Sequence, residues 1–228
     1  MIDAILNLVF PQACVLCNSR IFQRRWSVAC PDCWLKLEPI PPPFCPQCGM
    51  PAPVIEGPCG ACRRGDHAFD LARSVFQFTD PMRGILHHFK YSGRVSLARP
   101  LGRELREHME SEGFHGAVAL PVPLHRSRER ERGFNQAELL ARQLGLKVDC
   151  GLLRRRKNTP SQTGLSRSQR VLNLSAAFEV RRRPPDCVLV VDDVYTTGAT
   201  LHEIARTLKR AGASRVEVLT VARVLRPE

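Results

Sequence analysis

Residues 188–200 read VLVVDDVYTTGAT, and this stretch is the most informative part of the chain. A run of apolar residues stops at two acids, Asp192 and Asp193, and a turn rich in hydroxyls and glycine then leads into a helical pattern. Such a turn gathers unpaired backbone amides at the positive end of a helix, which suits a phosphomonoester. The predicted phosphate ligands are Thr196, Thr197, Gly198, Ala199 and Thr200. The two carboxylates are placed for ribose hydroxyls or a Mg²⁺ ion. An ordinary threonine-capped helix is the simpler alternative.

The sequence around this stretch alternates between apolar strands and amphipathic helices from about Ala68 onward. Strands are predicted at residues 117–123, 187–191 and 216–221, and helical stripes begin near Ala137 and Leu201. This alternation is typical of an α/β fold with a parallel sheet flanked by helices. Ligands of such folds bind at the carboxyl ends of the strands, where the acid pair lies.

Eight of the ten cysteines form four Cys-x-x-Cys pairs near the start of the chain. The pairs are Cys14/Cys17, Cys30/Cys33, Cys45/Cys48 and Cys59/Cys62. The two-residue gap lets both sulfurs face one ion, and two pairs complete a tetrahedral shell, as in structural zinc sites. Such closed sites stabilise a fold and do not catalyse.

The proline-rich run at residues 39–43 separates the first two pairs from the last two. It favours sequential pairing and two structural zinc ions, whereas cross-brace pairing stays open. Disulfides would need an oxidising compartment, and redox motifs would need a βαβ context around each pair, so both are disfavoured. Cys150 and Cys187 are isolated and are expected to be buried thiols.

The chain has 228 residues and a formal net charge of +12, and the charge is unevenly distributed. Residues 1–66 hold 6 Lys+Arg against 5 Asp+Glu, and residues 67–228 hold 28 against 17. We therefore expect a small cysteine-rich domain at 1–66 and a larger, basic domain at 67–228 that binds phosphate-rich partners. The hydrophobic content of 43% excludes a disordered chain.

No run reaches the roughly 18 apolar residues of a membrane span, so no integral membrane segment is expected. Residues 1–10 have apolar residues at helical spacing but neither a basic start nor a cleavage site. We interpret them as a short helix that packs on the protein, and we expect a cytoplasmic location.

Residues 190–200, together with PVPLHR at 121–126, RERGFNQA at 130–137 and the four cysteine pairs, closely resemble the ComF family of competence-associated proteins. The resemblance extends over essentially the full length. It implies a double zinc ribbon followed by a type I phosphoribosyltransferase-like domain, which binds 5-phosphoribosyl 1-pyrophosphate (PRPP). It also implies an association with DNA uptake during natural transformation.

The resemblance also implies roles for individual residues. It assigns Asp192 and Asp193 to the ribose hydroxyls and the turn that follows them to the 5′-phosphate. The loop that holds pyrophosphate is assigned to Arg126, Arg132 and Gly133. A mobile loop that closes over PRPP is assigned to Lys157, Gln162 and Arg170. Lys90 and Tyr91, at the end of a predicted helix over residues 82–89, are either a cation and a stacking ring for the site or an ordinary helix terminus.

Two functions remain open at this point. In the first, the protein is a phosphoribosyltransferase in which a nitrogen nucleophile displaces pyrophosphate from PRPP, assisted by Mg²⁺ and the arginine-rich loop. In the second, it is a non-catalytic protein that handles single-stranded DNA with PRPP or a sugar phosphate as a ligand, together with competence proteins that translocate DNA. Aromatic residues at 6% weaken the second reading. A glutamine amidophosphoribosyltransferase is not expected, because that enzyme needs a large glutaminase domain with an N-terminal cysteine.

Overall fold

The computed structural model describes residues 12–21, 29–52, 57–156 and 177–225. The elements are β1 (Gln12–Ala13), β2 (Arg20–Ile21), α1 (Pro31–Trp34), α2 (Gly60–Arg63), β3 (Leu71–Gln77), α3 (Asp80–Tyr91), α4 (Ala98–Ser111), β4 (Val118–Pro121), α5 (Arg126–Arg132), α6 (Gln136–Ala141), β5 (Lys147–Val148), β6 (Leu153–Arg155), β7 (Phe178–Val180), β8 (Cys187–Tyr195), α7 (Ala199–Arg210) and β9 (Arg215–Arg223). A short 3₁₀ turn at Val95–Leu97 leads into α4.

The centre of the molecule is a five-stranded parallel sheet with the strand order β3-β9-β8-β4-β5. Both of its faces are covered, so successive residues of β8 enter two different cores. Leu189 and Val191 pack with α3, α4 and α6. Val188 and Val190 pack on the opposite face with α7. The predicted α/β fold with a parallel sheet flanked by helices is confirmed.

Strand β8 continues beyond the predicted end at Val191. Its pairing with β9 runs on as far as Tyr195 opposite Arg223. Asp192 and Asp193 therefore lie within the last four residues of β8 and not in the loop after the strand. The apolar sequence pattern stops at Asp192 and Asp193, but pairing with β9 keeps the backbone extended beyond them.

Strands β6 and β7 form an antiparallel pair outside the main sheet. The sequence between them covers most of the proposed mobile loop, and residues 157–176 lie outside the described part of the chain. The assignments of Lys157, Gln162 and Arg170 fall in this range. The helix expected at residues 1–10 also lies outside the described residues.

The first cysteine module, residues 12–21 and 29–37, consists of the β1–β2 hairpin and α1. It packs against α3, and its Trp34 and Leu37 join the same hydrophobic core as Ile85. The approach is close, because a Cβ atom on Gly84 would lie 2.6 Å from Leu16 Cδ2. This module therefore rests on the helix that ends at Tyr91.

The second cysteine module, residues 44–52 and 57–66, lies with the preceding linker along the outer edge of β3. Backbone hydrogen bonds join the two: Gln77 N donates to Glu38 O at 2.7 Å, Ile40 N to Val75 O at 3.0 Å, and Ala72 N to Gln47 O at 2.7 Å. The edge of the sheet is thus occupied along most of its length.

Within residues 12–21, 29–52, 57–156 and 177–225, every helix is too short or too polar to cross a membrane.

Candidate active site and metal centres

The turn after β8 is built on a buried tyrosine. Gly198 has φ +75° and begins α7, a conformation that side-chain-bearing residues rarely adopt. A Cβ atom on Gly198 would lie 2.3 Å from the hydroxyl oxygen of Tyr195, whose ring fills the space beneath the turn. A side chain at position 198 would therefore collide with Tyr195, so this position requires glycine. Thr196 and Thr200 line the cleft above the turn.

The acid pair is tied to α3. Lys90 forms an ion pair with Asp193, and Asp192 Oδ1 accepts a hydrogen bond from Asp193 N at 2.9 Å. Burial and the adjacent charge of Asp193 raise the pKa of Asp192 to about 8. Burial lowers the pKa of Lys90, but the charge of Asp193 outweighs this and the pKa is raised overall. Lys90 therefore lines the cleft beside the acid pair, at the end of α3.

A cleft of about 310 Å³ opens at the carboxyl end of the sheet, in front of the acid pair and the turn. The charged side chains that line it are Lys90, Arg128, Arg132, Arg155, Asp192 and Asp193. Burial and the nearby charge of Arg128 lower the pKa of Arg155. Cations held this close repel one another, so a bound polyanion would stabilise the cleft.

Helix α5 explains which arginines reach this cleft. The sequence analysis placed residues 126–132 in a loop, but His125 caps a helix there and Gly133, at φ +79°, ends it. Arg128 and Arg132 are four residues apart and share one helix face, which lines the cleft. Arg126 is exposed and lines a neighbouring cavity of about 230 Å³.

Arg132 is held in position by three contacts. Its guanidinium donates to Gln136 Oε1 and to the hydroxyl of Tyr91, both at 3.1 Å, and lies 4.8 Å from the centre of the Tyr91 ring. Tyr91 thus supports the arginine from α3 and does not itself line the cleft within the described residues.

The sequence analysis did not single out Arg128 or Arg155 as ligands. Arg155 lies in β6, two residues before the first residue assigned to the mobile loop. The alternation of side chains along a strand could have identified Arg155. Leu153 and Arg155 share the inner face of β6, and Arg154 points to solvent. The expectation of a buried Cys150 is wrong: this cysteine is exposed in the loop after β5, and Cys187 is half-buried.

The eight paired cysteines form two clusters within the described residues. In each cluster, the four sulfur atoms lie within 4.8 Å of one another. One cluster is Cys14, Cys17, Cys30 and Cys33, and the other is Cys45, Cys48, Cys59 and Cys62. Sequential pairing is confirmed, and the cross-brace alternative is wrong.

The cluster geometry fits structural zinc. The Sγ atoms of Cys48 and Cys59 are 3.6 Å apart, and those of Cys45 and Cys62 are 3.7 Å apart. A tetrahedral ion with Zn–S bonds of about 2.3 Å needs sulfurs about 3.8 Å apart. A backbone amide also faces a sulfur, since Cys59 N lies 3.2 Å from Cys45 Sγ, which suits a thiolate ligand.

Two family models match the chain in the same order as these two parts. Residues 5–63 match the double zinc ribbon domain. Residues 130–228 match the phosphoribosyl transferase domain. The second match includes the turn, the acid pair and the last three residues of α5.

Named relatives cover nearly the whole chain. The DNA utilization protein YhgH of Salmonella typhimurium is 33% identical, over 96% of this chain and 100% of that protein. Competence protein F of Haemophilus influenzae is 30% identical, over 92% and 96% of the two chains. Competence protein ComFC of Bacillus subtilis is 31% identical, over 92% and 94%. The chain therefore belongs to the ComF family, with a double zinc ribbon ahead of a phosphoribosyltransferase domain.

Proposed function

We propose that this protein binds PRPP with Mg²⁺ in the cleft and transfers its phosphoribosyl group, as part of DNA uptake in natural transformation. One observation carries the proposal: a helix-terminal turn, a pair of carboxylates and a set of arginines converge on one cleft of about 310 Å³. PRPP carries a phosphate, a diol and a pyrophosphate, and each of these groups has a matching partner there. The names of the relatives, competence protein and DNA utilization protein, support the cellular role.

Each part of the cleft has a separate task in this proposal. The amides and hydroxyls from Thr196 to Thr200 bind the 5′-phosphate at the start of α7, a helix of 12 residues. Asp192 and Asp193 bind the ribose hydroxyls. Their carboxylate oxygens also suit Mg²⁺, which when bound would neutralise charge on the pyrophosphate.

The arginines stabilise the leaving group. During transfer, a nitrogen of the acceptor forms a bond to C1 of the ribose while the bond from C1 to the pyrophosphate oxygen breaks. The electron pair leaves with pyrophosphate, and the acceptor nitrogen gives up its proton to water. Arg128, Arg132 and Arg155 offer fixed positive charge where the negative charge develops, which lowers the barrier without a strong general base.

Calorimetric titration of the zinc-loaded protein with PRPP and Mg²⁺ tests this function, followed by assays of pyrophosphate release with purine, pyrimidine and DNA acceptors. Binding with release is the expected result. Absence of binding would overturn the proposal, and binding without release from any acceptor would overturn the transferase step.

Replacing Arg128 or Arg132 with glutamine should weaken PRPP binding about 10- to 100-fold, because each change removes a charged hydrogen bond worth about 1.5–3 kcal/mol. Arg126→Gln is the matched control. It makes the same change in the same helix, but at a side chain that lines the neighbouring cavity. Its affinity should stay within about twofold of the wild type. An equal loss in Arg126→Gln would instead restore the original assignment of Arg126 to the pyrophosphate.

A second candidate function is the handling of single-stranded DNA without transfer. It is favoured by exposed arginines on and beside the β6–β7 pair. They are Arg154, Arg156, Arg181, Arg182 and Arg183. Binding of PRPP without release, together with DNA affinity that falls steeply with salt, is the expected signature of this candidate. Its partners would be DNA and the proteins that translocate it during competence.

We also place the protein in the cytoplasm. Both cysteine clusters need reduced sulfurs to hold zinc, and a reducing compartment provides them.

A further inference from the structure

Arg223 is a buried cation at the end of β9. Only 2% of the surface of this residue is exposed to solvent. Among the described residues, no carboxylate forms an ion pair with it, although a buried guanidinium is costly without a compensating charge. Two other groups contact it instead. Its Nη1 donates to the carbonyl oxygen of Cys48, and its guanidinium carbon lies 4.0 Å from the centre of the Tyr195 ring.

The first contact reaches the second cysteine module. Cys48 belongs to the cluster that fits a structural zinc ion. Four thiolates around one Zn²⁺ carry a formal charge of −2, so the metal-loaded cluster supplies the negative charge that Arg223 otherwise lacks. With zinc bound, the cluster would therefore hold Arg223 through charge as well as through the hydrogen bond to Cys48.

The second contact reaches the phosphate-binding turn. Tyr195 is 3% exposed, and its hydroxyl oxygen lies where a Cβ on Gly198 would be 2.3 Å away. The ring therefore forms the floor on which the turn rests. On its other side, it packs edge-on against Phe69, with ring centres 6.2 Å apart. A shift of this ring towards α7 would move the turn, because the Tyr195 hydroxyl already lies against Gly198.

We infer that the second cysteine module sets the position of the phosphate-binding turn through Arg223 and Tyr195, which act as positioning residues. The inference rests on the proposed function, since it assumes that the turn binds a phosphate. It has a reciprocal consequence. If the zinc cluster favours the binding conformation of the turn, then a bound phosphate must strengthen the hold on zinc by the same factor.

The test uses ribose 5-phosphate as the probe, because it occupies the turn without needing the pyrophosphate site. Its affinity is measured by calorimetry on the full zinc-loaded chain. The variants are Arg223→Gln and Tyr195→Leu, and Tyr195→Phe preserves the ring as the conservative variant.

Arg73→Gln is the matched control. Arg73 is also buried, and its guanidinium carbon lies 4.9 Å from the ring centre of Phe44 in the same cysteine module. It pairs with Glu112 at 2.6 Å and lies opposite Leu219, four residues before Arg223 on β9. Its loss therefore disturbs the contact between module and sheet, but away from the turn.

We expect Arg223→Gln and Tyr195→Leu to bind ribose 5-phosphate about 3- to 30-fold more weakly, with Arg73→Gln and Tyr195→Phe within about twofold of the wild type. Equal losses in Arg223→Gln and Arg73→Gln would overturn the inference, as would unchanged affinity in Tyr195→Leu. Failure of the wild type to bind the probe would instead overturn the proposed function.

A second measurement follows the zinc ions and not the probe. Zinc release into a chromogenic chelator is followed with and without saturating ribose 5-phosphate. The probe should slow the release of one of the two zinc ions in the wild type, and this effect should disappear in Arg223→Gln. Equal release rates in the wild type with and without the bound probe would contradict the coupling.

Discussion

The double variant Asp192→Asn/Asp193→Asn is expected to lose at least about 100-fold in affinity for PRPP with Mg²⁺. It removes two carboxyl groups, each of which would make charged interactions worth about 1.5–3 kcal/mol once Mg²⁺ is bound. The fold should survive. Lys90, which loses its partner Asp193, has a side chain that is still 24% exposed and retains access to water. Calorimetry measures the affinity, and circular dichroism with zinc content verifies the fold.

Asp186→Asn provides the control for this experiment. Asp186 is an exposed acid directly before β8, at the opposite end of the strand from the acid pair. The variant Asp186→Asn makes the same chemical change at one acid away from the cleft and should leave affinity unaltered. If the double variant binds PRPP as well as Asp186→Asn does, the carboxylates do not belong to the site.

Cys45→Ser should reduce bound zinc from two ions to one per chain and unfold the second cysteine module. Cys45 is 1% exposed, and its sulfur lies 3.7 Å from that of Cys62. The only helix in this module, within the described residues, has four residues, so the module depends on its metal. Structural zinc contributes about 10–16 kcal/mol to such small domains, which exceeds what short elements provide by packing.

Zinc analysis and limited proteolysis measure both parts of this expectation. Cleavage should appear within residues 44–66. Cys150→Ser is the control, because Cys150 is exposed and belongs to neither cluster. Retention of two zinc ions by Cys45→Ser would show that this sulfur is not a ligand.

The sequence was sufficient to predict those features whose residues follow one another closely along the chain. The strand, turn and helix around Asp192 follow one another directly, so apolar runs and a glycine identify them. The cysteine pairing was likewise predictable, because two residues separate the cysteines of each pair and a stiff proline run separates the first two pairs from the last two.

Features that depend on contacts between distant segments were not predictable in this way. Arg128 and Arg132 face the cleft because residues 126–132 form a helix, whereas the family resemblance assigned this segment to a loop. The ion pair of Lys90 with Asp193 joins residues that only the sheet brings together. The contacts of Arg223 were not predictable either. In the sequence it is an arginine at the end of a strand, and only the folded chain brings Tyr195 and Cys48 against it.

The occupied edge of β3 has a consequence for the behaviour of the protein when zinc is scarce. An apolar edge strand with unpaired amides and carbonyls is a template for other extended chains. Here the backbone of Glu38, Ile40 and Gln47 covers that template, and the neighbouring metal cluster holds the covering segment. A chain that loses its second zinc would therefore expose a strand that can pair with other copies. Zinc bound at this cluster would thus protect the protein against self-association, and we expect zinc starvation to appear first as aggregation.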